Sequence, residues 1–427
     1  MNQIKIKGTP DLGGIGATIG FFIGFAAVSL FGVTAGRIKE VIDLSPVLIG
    51  LLISAPALSG SLLRIPFAAW TDATGGRKPF LVLLTLSIIG MVGLWFILHF
   101  YYPGRLTIGF YPVLLFLAVL CGCGIATFSV GIGQVSYWFP HSKQGTVLGL
   151  YAGVGNLAPG IFALLLPFAL KYFGLSGSYL AWLIFLVVGT GVYWAIGRNA
   201  WYFQLLGHGM NTQEAQKEAQ EKYGQEILPG GNVMDSLKIS AKTWKNWALV
   251  ALYFTSFGGF IALTAWFPTY WNIYFEKTII AAGLLTAVYS ILTSLMRIVG
   301  GQISDFFGGE RTAITSFLII LAGAVIMVFS ASFVMAIAGS VLLAIGMGVA
   351  NAAVFKLVPQ EVPDAVGGAA GWVGGLGAFG GFVIPPVMGA FVSNGDHTGY
   401  ARGFYIFIVL AIISLFISMV LSKTHHK

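Results

Sequence analysis

The sequence predicts an all-α polytopic membrane protein with twelve transmembrane helices in two pseudo-symmetric six-helix halves. The first observation is composition: of 427 residues, 57% are hydrophobic and only 9% are charged, whereas about a quarter are charged in soluble proteins. The second is a succession of twelve apolar stretches of roughly the 20 residues that cross a bilayer. The third is a pattern that occurs twice, 233 residues apart. Together they exclude a water-soluble globular protein.

Twelve helices are expected between polar or turn-forming residues. A long polar segment, 198–245, separates the sixth helix from the seventh. The expected domains are therefore an N-terminal half, residues 1–197, this linker, and a C-terminal half, residues 246–427. The helices are expected near 14–36, 46–70, 80–102, 110–138, 145–171, 177–197, 246–272, 279–304, 312–333, 335–357, 365–393 and 402–422.

Lysine and arginine are unevenly divided between alternate loops. With the N-terminus inside, the segments on that side carry fifteen of the 23 basic residues, and the opposite side carries six. Cytoplasmic loops of membrane proteins are enriched in these residues. We therefore expect a multi-pass protein of the cell membrane with both termini in the cytoplasm. The same distribution accounts for the net charge of +8 without a nucleic-acid partner.

The two remaining basic residues, Arg64 and Arg297, fall inside the second and eighth helices, and both begin the repeated pattern. In each copy isoleucine follows the arginine, aspartate comes eight residues after it, and two glycines come eleven and twelve residues after it. The conserved spacing at the second helix of each half indicates a duplicated six-helix unit. The copies contain Arg64, Ile65, Asp72, Gly75 and Gly76, and Arg297, Ile298, Asp305, Gly308 and Gly309.

The aspartate, the paired glycines and the basic residues after them resemble the loop motif of the major facilitator superfamily. This resemblance implies twelve helices in two halves around a central site. It also implies that Asp72 and Asp305, with Arg77 and Arg311, hold a cytoplasmic gate through helix and loop contacts. Ala68 stands where the motif has its first glycine, whereas the second half keeps that glycine.

The two arginines are predicted to lie near the middle of the membrane. Eight residues at about 1.5 Å each place them roughly 12 Å from the aspartates, in a hydrocarbon core about 30 Å thick. An intramembrane arginine costs at least about 2.5 kcal/mol and normally faces a cavity or a partner. All fifteen acidic residues are assigned to loops or helix ends, and none of the six histidines is mid-helix. We therefore predict a cavity neutralised by a bound anion, with packing or snorkelling arginines as the alternative.

Aromatic and amide side chains are candidates for the rest of this cavity. Guanidinium is planar and always charged, which suits planar oxyanions such as carboxylate, nitrate or nitrite. Tyr253 and Phe257 are four residues apart in the seventh helix, as are Asn351 and Phe355 in the tenth, so each pair shares a helix face. Phe128 lies in the fourth helix. Each ring alone is typical of packing, but with two arginines they predict a narrow pocket for a flat ion.

The fifth and eleventh helices contain glycine-rich segments, 149–160 and 371–381, of a kind typical of close helix crossing. These segments, with an arginine on each of the second and eighth helices, resemble the nitrate/nitrite porter family. The resemblance implies a nitrate/nitrite transporter whose anion-binding residues are Arg64, Arg297, Tyr253, Phe257, Phe128 and Asn156. We add Gly153, Asn351 and Phe355 to the binding set, and Gly155, Gly375, Gly377 and Gly380 to the gating set.

The mode of coupling is predicted from the side chains that the helices lack. Proton symporters generally carry the proton on an intramembrane carboxylate or histidine, and no such residue is assigned to a helix interior. Closing an empty, dry cavity around two unpaired charges should cost free energy, so the carrier should not change conformation without a bound anion. We therefore expect obligatory exchange of nitrate for nitrite by rocking of the halves. No cofactor or metal is expected. The expected partners are small anions and the lipid bilayer, and the expected state is a monomer.

Other functions remain open at this stage. A tyrosine, a water chain or a proton bound with nitrite could make the protein a proton-coupled nitrate or nitrite symporter. A transporter of small organic carboxylates would use the same arginines in a wider, more polar pocket. A membrane sensor could bind a partner through segment 198–245, which contains no recognisable signalling motif. A membrane enzyme is the least expected, because no acid–base or paired cysteine chemistry is predicted within the helices.

Overall fold

The computed structural model describes residues 6–229, 233–392 and 397–425, and every regular element in these ranges is a helix. Eleven helical stretches are long and apolar enough to cross a membrane. The longest, Thr146–Ile196, has 51 residues, too many for a single crossing of about 20 residues. It is interrupted at Gly174, where φ is 67°. It therefore contains two spans, which is consistent with the predicted twelve helices.

The twelve helices are labelled here in chain order. The chain continues from the first through a short helix, Ala35–Lys39, before the second begins. Their bounds are α1 Pro10–Ser29, α2 Pro46–Thr74, α3 Arg77–Phe100, α4 Ile108–Trp138, α5 146–173, α6 175–196, α7 Trp244–Ile273, α8 Ile279–Phe307, α9 Gly309–Val328, α10 Phe333–Glu361, α11 Pro363–Ala390 and α12 Gly399–Thr424.

The helices that carry the repeat begin and end in the same way. The hydroxyl oxygens of Ser45 and Thr278 accept hydrogen bonds from backbone N–H groups in the first turns of α2 and α8, which satisfies otherwise unpaired donors. Both helices end at the first glycine of the pair, Gly75 with φ 79° and ψ 161°, and Gly308 with φ 88° and ψ 151°. These backbone angles are essentially restricted to glycine. The repeated glycine is thus required by the sharp end of each helix.

Helix α7 departs from regular α-helical geometry at two places, the π-helical turns Phe254–Gly258 and Tyr270–Tyr274. Such turns add a residue to the helix and are frequent at functional sites. The first contains Phe257. This first π-helical turn lies against α11, because a Cβ atom on Gly258 would come within 2.7 Å of the carbonyl oxygen of Gly377.

The two six-helix halves meet along two antiparallel seams, α2 with α11 and α5 with α8. We call the membrane face of Asp72 and Asp305 the motif end. At the opposite end the seams are closed by backbone contacts. A Cβ atom on Gly50 would come within 2.7 Å of a proline carbonyl in α11, and one on Gly283 within 2.5 Å of the Ala163 carbonyl in α5. Only glycine allows this approach, so the opposite end is tightly closed in this conformation.

The segment between α6 and α7 is largely helical and contacts both halves. Its first two helices pack around Tyr137 and Trp138 at the end of α4. Its third helix packs on α11, where the N–H of Gly368 donates to the hydroxyl of Ser236 at 2.9 Å. The three helices are Trp201–Gly207, Thr212–Glu221 and Val233–Ala241.

Candidate functional site

Arg64 is completely buried and holds the two halves together. It lies directly after an irregular turn at Leu63 in α2. Its Nε donates to the carbonyl of Gly60 in the same helix at 3.1 Å, and its Nη1 donates to the carbonyl of Gly374 in α11 at 2.9 Å. Its Nη2 is buried without a hydrogen-bond partner. One arm of the fork is therefore free for a ligand.

Arg297 is the counterpart of Arg64 on α8, but it is less buried. It is only partly buried, and its Nη1 has no hydrogen-bond partner. None of the four ion pairs among the described residues includes Arg64 or Arg297. Both charges are therefore without a carboxylate partner in the part of the chain that the structure describes.

Both guanidinium groups lie against the same two aromatic rings. The Cζ of Arg64 is 4.7 Å from the ring centroid of Phe128 and 5.1 Å from that of Phe257. The Cζ of Arg297 is 5.7 Å and 5.4 Å from the same centroids. Phe128 comes from α4 and Phe257 from α7, and their rings are 6.0 Å apart and stacked at 28°. The two arginines thus converge on one site between the halves.

Tyr253 and Phe355 extend this aromatic wall within the C-terminal half. The Tyr253 ring is stacked on Phe257 at 4.9 Å with an interplanar angle of 11°, and it meets the edge of Phe355 at 4.8 Å. The Cζ of Arg297 is 5.7 Å from the Phe355 centroid. Arg297 therefore faces three rings and Arg64 faces two.

Two further rings, Phe21 and Phe25 in α1, support the site and were missed by the sequence reasoning. Phe21 is 5.2 Å from Phe128, and Phe25 is stacked on Phe257 at 6.2 Å and 13°. A usable signal was present: Phe21 and Phe25 are four residues apart and precede Tyr253 and Phe257 by 232 residues. This is nearly the offset of the arginine repeat, so the aromatic pair is repeated as well.

The two predicted asparagines are buried beside the helices of the site. Asn156 on α5 and Asn351 on α10 are each 1% exposed, and the side-chain oxygen of each has no hydrogen-bond partner. The backbone carbonyl of Asn156 accepts from the hydroxyl of Ser294 on α8 at 2.9 Å, across the α5–α8 seam. Unpaired buried amide oxygens are rare in proteins, and because an amide oxygen accepts hydrogen bonds, these two suit water or another donor and not a direct contact with an anion.

The glycines assigned to binding and gating allow side chains of other helices to approach α5 and α11. Gly155 lies directly against the ring of Phe21, and a Cβ atom on Gly377 would come within 2.7 Å of Tyr253 Cβ. A Cβ atom on Gly380 would come within 2.6 Å of the carbonyl of Phe254. Gly153 and Gly375 contact side chains of α8 and α2, respectively. All five glycines therefore permit close packing around the site.

The charged gating candidates lie at the motif end, away from the arginine pair. The hydroxyl of Tyr137 donates to Asp72 at 2.5 Å, and Lys356 pairs with Asp305 at 2.8 Å. Arg77 donates through Nη2 to the carbonyl of Trp194 at 2.8 Å. Each of these contacts stays within one half. Arg311 is exposed.

The site offers no metal-binding cluster, since no group of three or more potential metal-ligating side chains occurs among the described residues. Its chemistry is instead that of two rigid forks of N–H donors above flat rings. Guanidinium forks bind planar oxyanions through paired hydrogen bonds, and flat rings restrict the thickness of what lies between them. The arrangement can therefore bind a small, flat anion without covalent chemistry.

Comparison with known proteins places this geometry among transporters. The model of the Major Facilitator Superfamily matches residues 17–282 and 275–427. The chain is 31% identical to the probable nitrate/nitrite antiporter NarK1 of Thermus thermophilus, over 95% of this chain and 90% of that protein. It is 27% identical to the probable nitrate transporter NarT of Staphylococcus epidermidis, over 93% and 94%.

Solved structures support the same fold. The partially occluded inward-open xylose transporter XylE from E. coli superposes with a TM-score of 0.74 at 13% identity, covering 97% of both chains. An inward-facing bacterial homologue of the lysosomal transporter Spinster gives a TM-score of 0.67 at 16% identity, covering 98% of both chains. At these identities the likeness concerns the fold alone.

Proposed function

The chain belongs to the Major Facilitator Superfamily and, within it, to the nitrate/nitrite porters, and from this premise we propose that it exchanges nitrate for nitrite across the membrane. It is a multi-pass membrane transporter and not an enzyme. The anion binds between Arg64 and Arg297, against Phe128 and Phe257, with Tyr253, Phe355, Asn156 and Asn351 around it. Transport proceeds by alternating access, as the halves rock about this single site.

The convergence of a fully buried arginine and a partly buried one on one pair of rings is the main support for this proposal. A buried charge without a partner is strongly destabilising, and the described carboxylates do not pair with either arginine. A monovalent oxyanion supplies the missing negative charge and accepts from the free Nη atoms. The bound anion therefore supplies the negative charge that no described carboxylate supplies to the two arginines.

The spacing of the rings favours inorganic anions over larger carboxylates. The centroids of Phe128 and Phe257 are 6.0 Å apart, whereas carbon atoms in contact are already about 3.5 to 4 Å apart. Only an ion one atom thick can enter between them with a small adjustment. Nitrate and nitrite are flat and lack the tetrahedral carbons that a carboxylate such as lactate would bring into the gap.

Exchange, rather than proton symport, follows from the charge of the empty site. The acidic residues nearest along α2 and α8 are Asp72 and Asp305, about 12 Å further along their helices, and they contact residues at the motif end. Arginine itself does not release its proton. When the halves close without an anion, both charges must be desolvated without compensation, so the empty carrier returns slowly.

Labelled nitrate uptake into proteoliposomes tests this proposal. Uptake is expected into vesicles loaded with nitrate or nitrite and at least about tenfold less into vesicles without an internal anion, because only the loaded carrier returns quickly. Internal lactate should not replace nitrite, because its tetrahedral carbons do not fit between the rings. Uptake into anion-free vesicles driven by a pH gradient would contradict exchange, and stimulation by internal lactate would indicate an organic-anion carrier.

We further propose that the motif end and both termini face the cytoplasm, that residues 198–245 form a linker on that side, and that the carrier is a monomer. The excess of lysine and arginine at this end supports the orientation. A membrane-impermeant amine reagent should label Lys217 and Lys222 of the linker in inside-out vesicles. Equal labelling in intact cells would contradict the orientation.

A further inference from the structure

The repeat contains one residue that the anion site does not use, the isoleucine after each arginine. Ile65 on α2 packs against α11, where a Cβ atom on Gly375 would come within 2.8 Å of its Cγ1. Ile298 on α8 packs against α5, where a Cβ atom on Gly153 would come within 3.0 Å of its Cδ1. Each isoleucine thus crosses to the other half and lies on a glycine. The two contacts are related by the repeat.

Towards the motif end, the glycines that follow these contacts no longer face the other half. About one turn further on, Cβ atoms on Gly149 of α5 and Gly301 of α8 would have no atom within 4 Å. On α11, Gly371 faces Leu237 of the linker at 3.5 Å instead of α2. The α5–α8 seam therefore opens beyond Ile298, whereas beyond Ile65 the linker helix Val233–Ala241 contacts both α11 and the Arg64–Thr74 part of α2. Ile298 is 47% exposed although it contacts the other half.

On the other side of the arginines, the contacts between the halves continue to the opposite end of the helices. In the α5–α8 seam, Ile291 packs on Gly160 two turns beyond Ile298, and the carbonyl of Ala163 meets Gly283 further along. In the α2–α11 seam, the backbone contact of Gly50 closes the opposite end. Within the seams, several contacts therefore lie between the site and the opposite end, whereas Ile65 and Ile298 are the described contacts on glycine between the site and the motif end.

We propose that Ile65 and Ile298 form the barrier between the anion site and the motif end, each closing against a glycine of the opposite half. This proposal rests on the exchange function above. An apolar constriction excludes water and hydrated ions without any charged lock. A side chain resting on glycine has no interlocking partner, so the two surfaces can separate when α5 and α11 move. The hydrogen bond of Asp72 and the ion pair of Asp305 stay within their own halves and do not close this path.

The double variant Ile65→Ala/Ile298→Ala tests the barrier in proteoliposomes loaded with labelled nitrate. Each substitution removes three carbon atoms, which leaves more space than one water molecule needs. Whenever the opposite end opens, the path is then open at both ends. The variant should release nitrate into anion-free medium at least about tenfold faster than the wild type, while nitrate raises its melting temperature as in the wild type.

Ile291→Ala is the matched control, because Ile291 is on the same helix and also packs on a glycine of α5, but on the other side of Arg297. Its release rate should stay within about twofold of the wild type, because the barrier remains. An unchanged release rate in a nitrate-binding double variant would overturn the proposal, as would equal release from Ile291→Ala. If the double variant does not bind nitrate, the nitrate release rates of Ile65→Val and Ile298→Val are compared with that of the wild type instead, and smaller increases in release are expected.

The same assay distinguishes failure of the barrier from failure of exchange. If the wild type itself releases nitrate rapidly into anion-free medium, the exchange function is wrong. The ratio of variant to wild-type release still measures the barrier in that case. If both the wild type and the double variant release labelled nitrate only when an anion is present outside, the exchange function stands and the barrier lies elsewhere.

Discussion

Replacing Arg64 with lysine is expected to reduce nitrate exchange by at least about 100-fold, even though the positive charge is kept. The guanidinium already donates to the carbonyls of Gly60 and Gly374, and a third nitrogen stays free for the anion. Lysine is a point charge on a flexible stem and cannot make these bonds in one plane. Loss of a partner in a buried charged network costs about 3 to 5 kcal/mol, which corresponds to the stated factor.

Nitrate counterflow and the nitrate-dependent rise in melting temperature measure this effect. Arg105→Lys is the control, because Arg105 is exposed at the loop between α3 and α4, and it should behave as the wild type. Exchange by Arg64→Lys within about threefold of the wild type would show that charge alone suffices and that the planar fork has no role.

Replacing Phe257 with leucine is expected to reduce exchange by roughly 30-fold. The Phe257 ring lies against both arginines, at 5.1 Å and 5.4 Å, and a desolvated cation–π contact contributes about 2 kcal/mol or more. Loss of one such contact corresponds to a factor of about 30. Leucine fills a similar volume, so the packing loss should be small.

Phe260→Leu provides the comparison for this variant. Phe260 is on the same helix, is 1% exposed and contacts the Phe257 ring at 5.8 Å, but its described ring contacts include neither arginine. Its exchange rate should stay within about threefold of the wild type. Equal losses in the two variants would mean that Phe257 acts through packing and not through its π surface.

The fold and the identity of the central charges could be predicted from the sequence. Composition and hydropathy determine the helix count, and a 15-residue repeat locates Arg64 and Arg297 at equal depth. The family was anticipated from the same residues with their glycine-rich segments, and it is confirmed by the family model and the relatives. These features are local, so a single chain read in order is enough to find them.

The pairing of side chains from different helices could not be predicted in the same way. Phe128 and Phe257 are far apart in the sequence and stack only after the halves assemble. Phe21 and Phe25 were overlooked because aromatic residues are common in apolar helices and their repeat offset differs by one residue from that of the arginines. The contacts of Asp72 and Asp305 within their own halves also depend on tertiary structure.

The difference between the two arginines is the least predictable feature. The repeat is symmetric in sequence, and it suggests equivalent roles. In the structure, Arg64 donates to two carbonyls, one of them in the other half, whereas the Nη1 of Arg297 has no hydrogen-bond partner. The carbonyl of Gly374 that accepts from Arg64 therefore has no described counterpart at Arg297.

The acceptor in the bond between α2 and α11 is a main-chain carbonyl, that of Gly374. No side-chain substitution at this position removes the acceptor, so mutational scanning of α11 reports only the bulk added at each glycine. Substitution of Arg64 removes the anion contact and the bond to α11 together, whereas no described hydrogen bond joins Arg297 to the other half. The difference between equivalent substitutions at the two positions therefore measures how strongly a single backbone atom ties the two halves of the carrier.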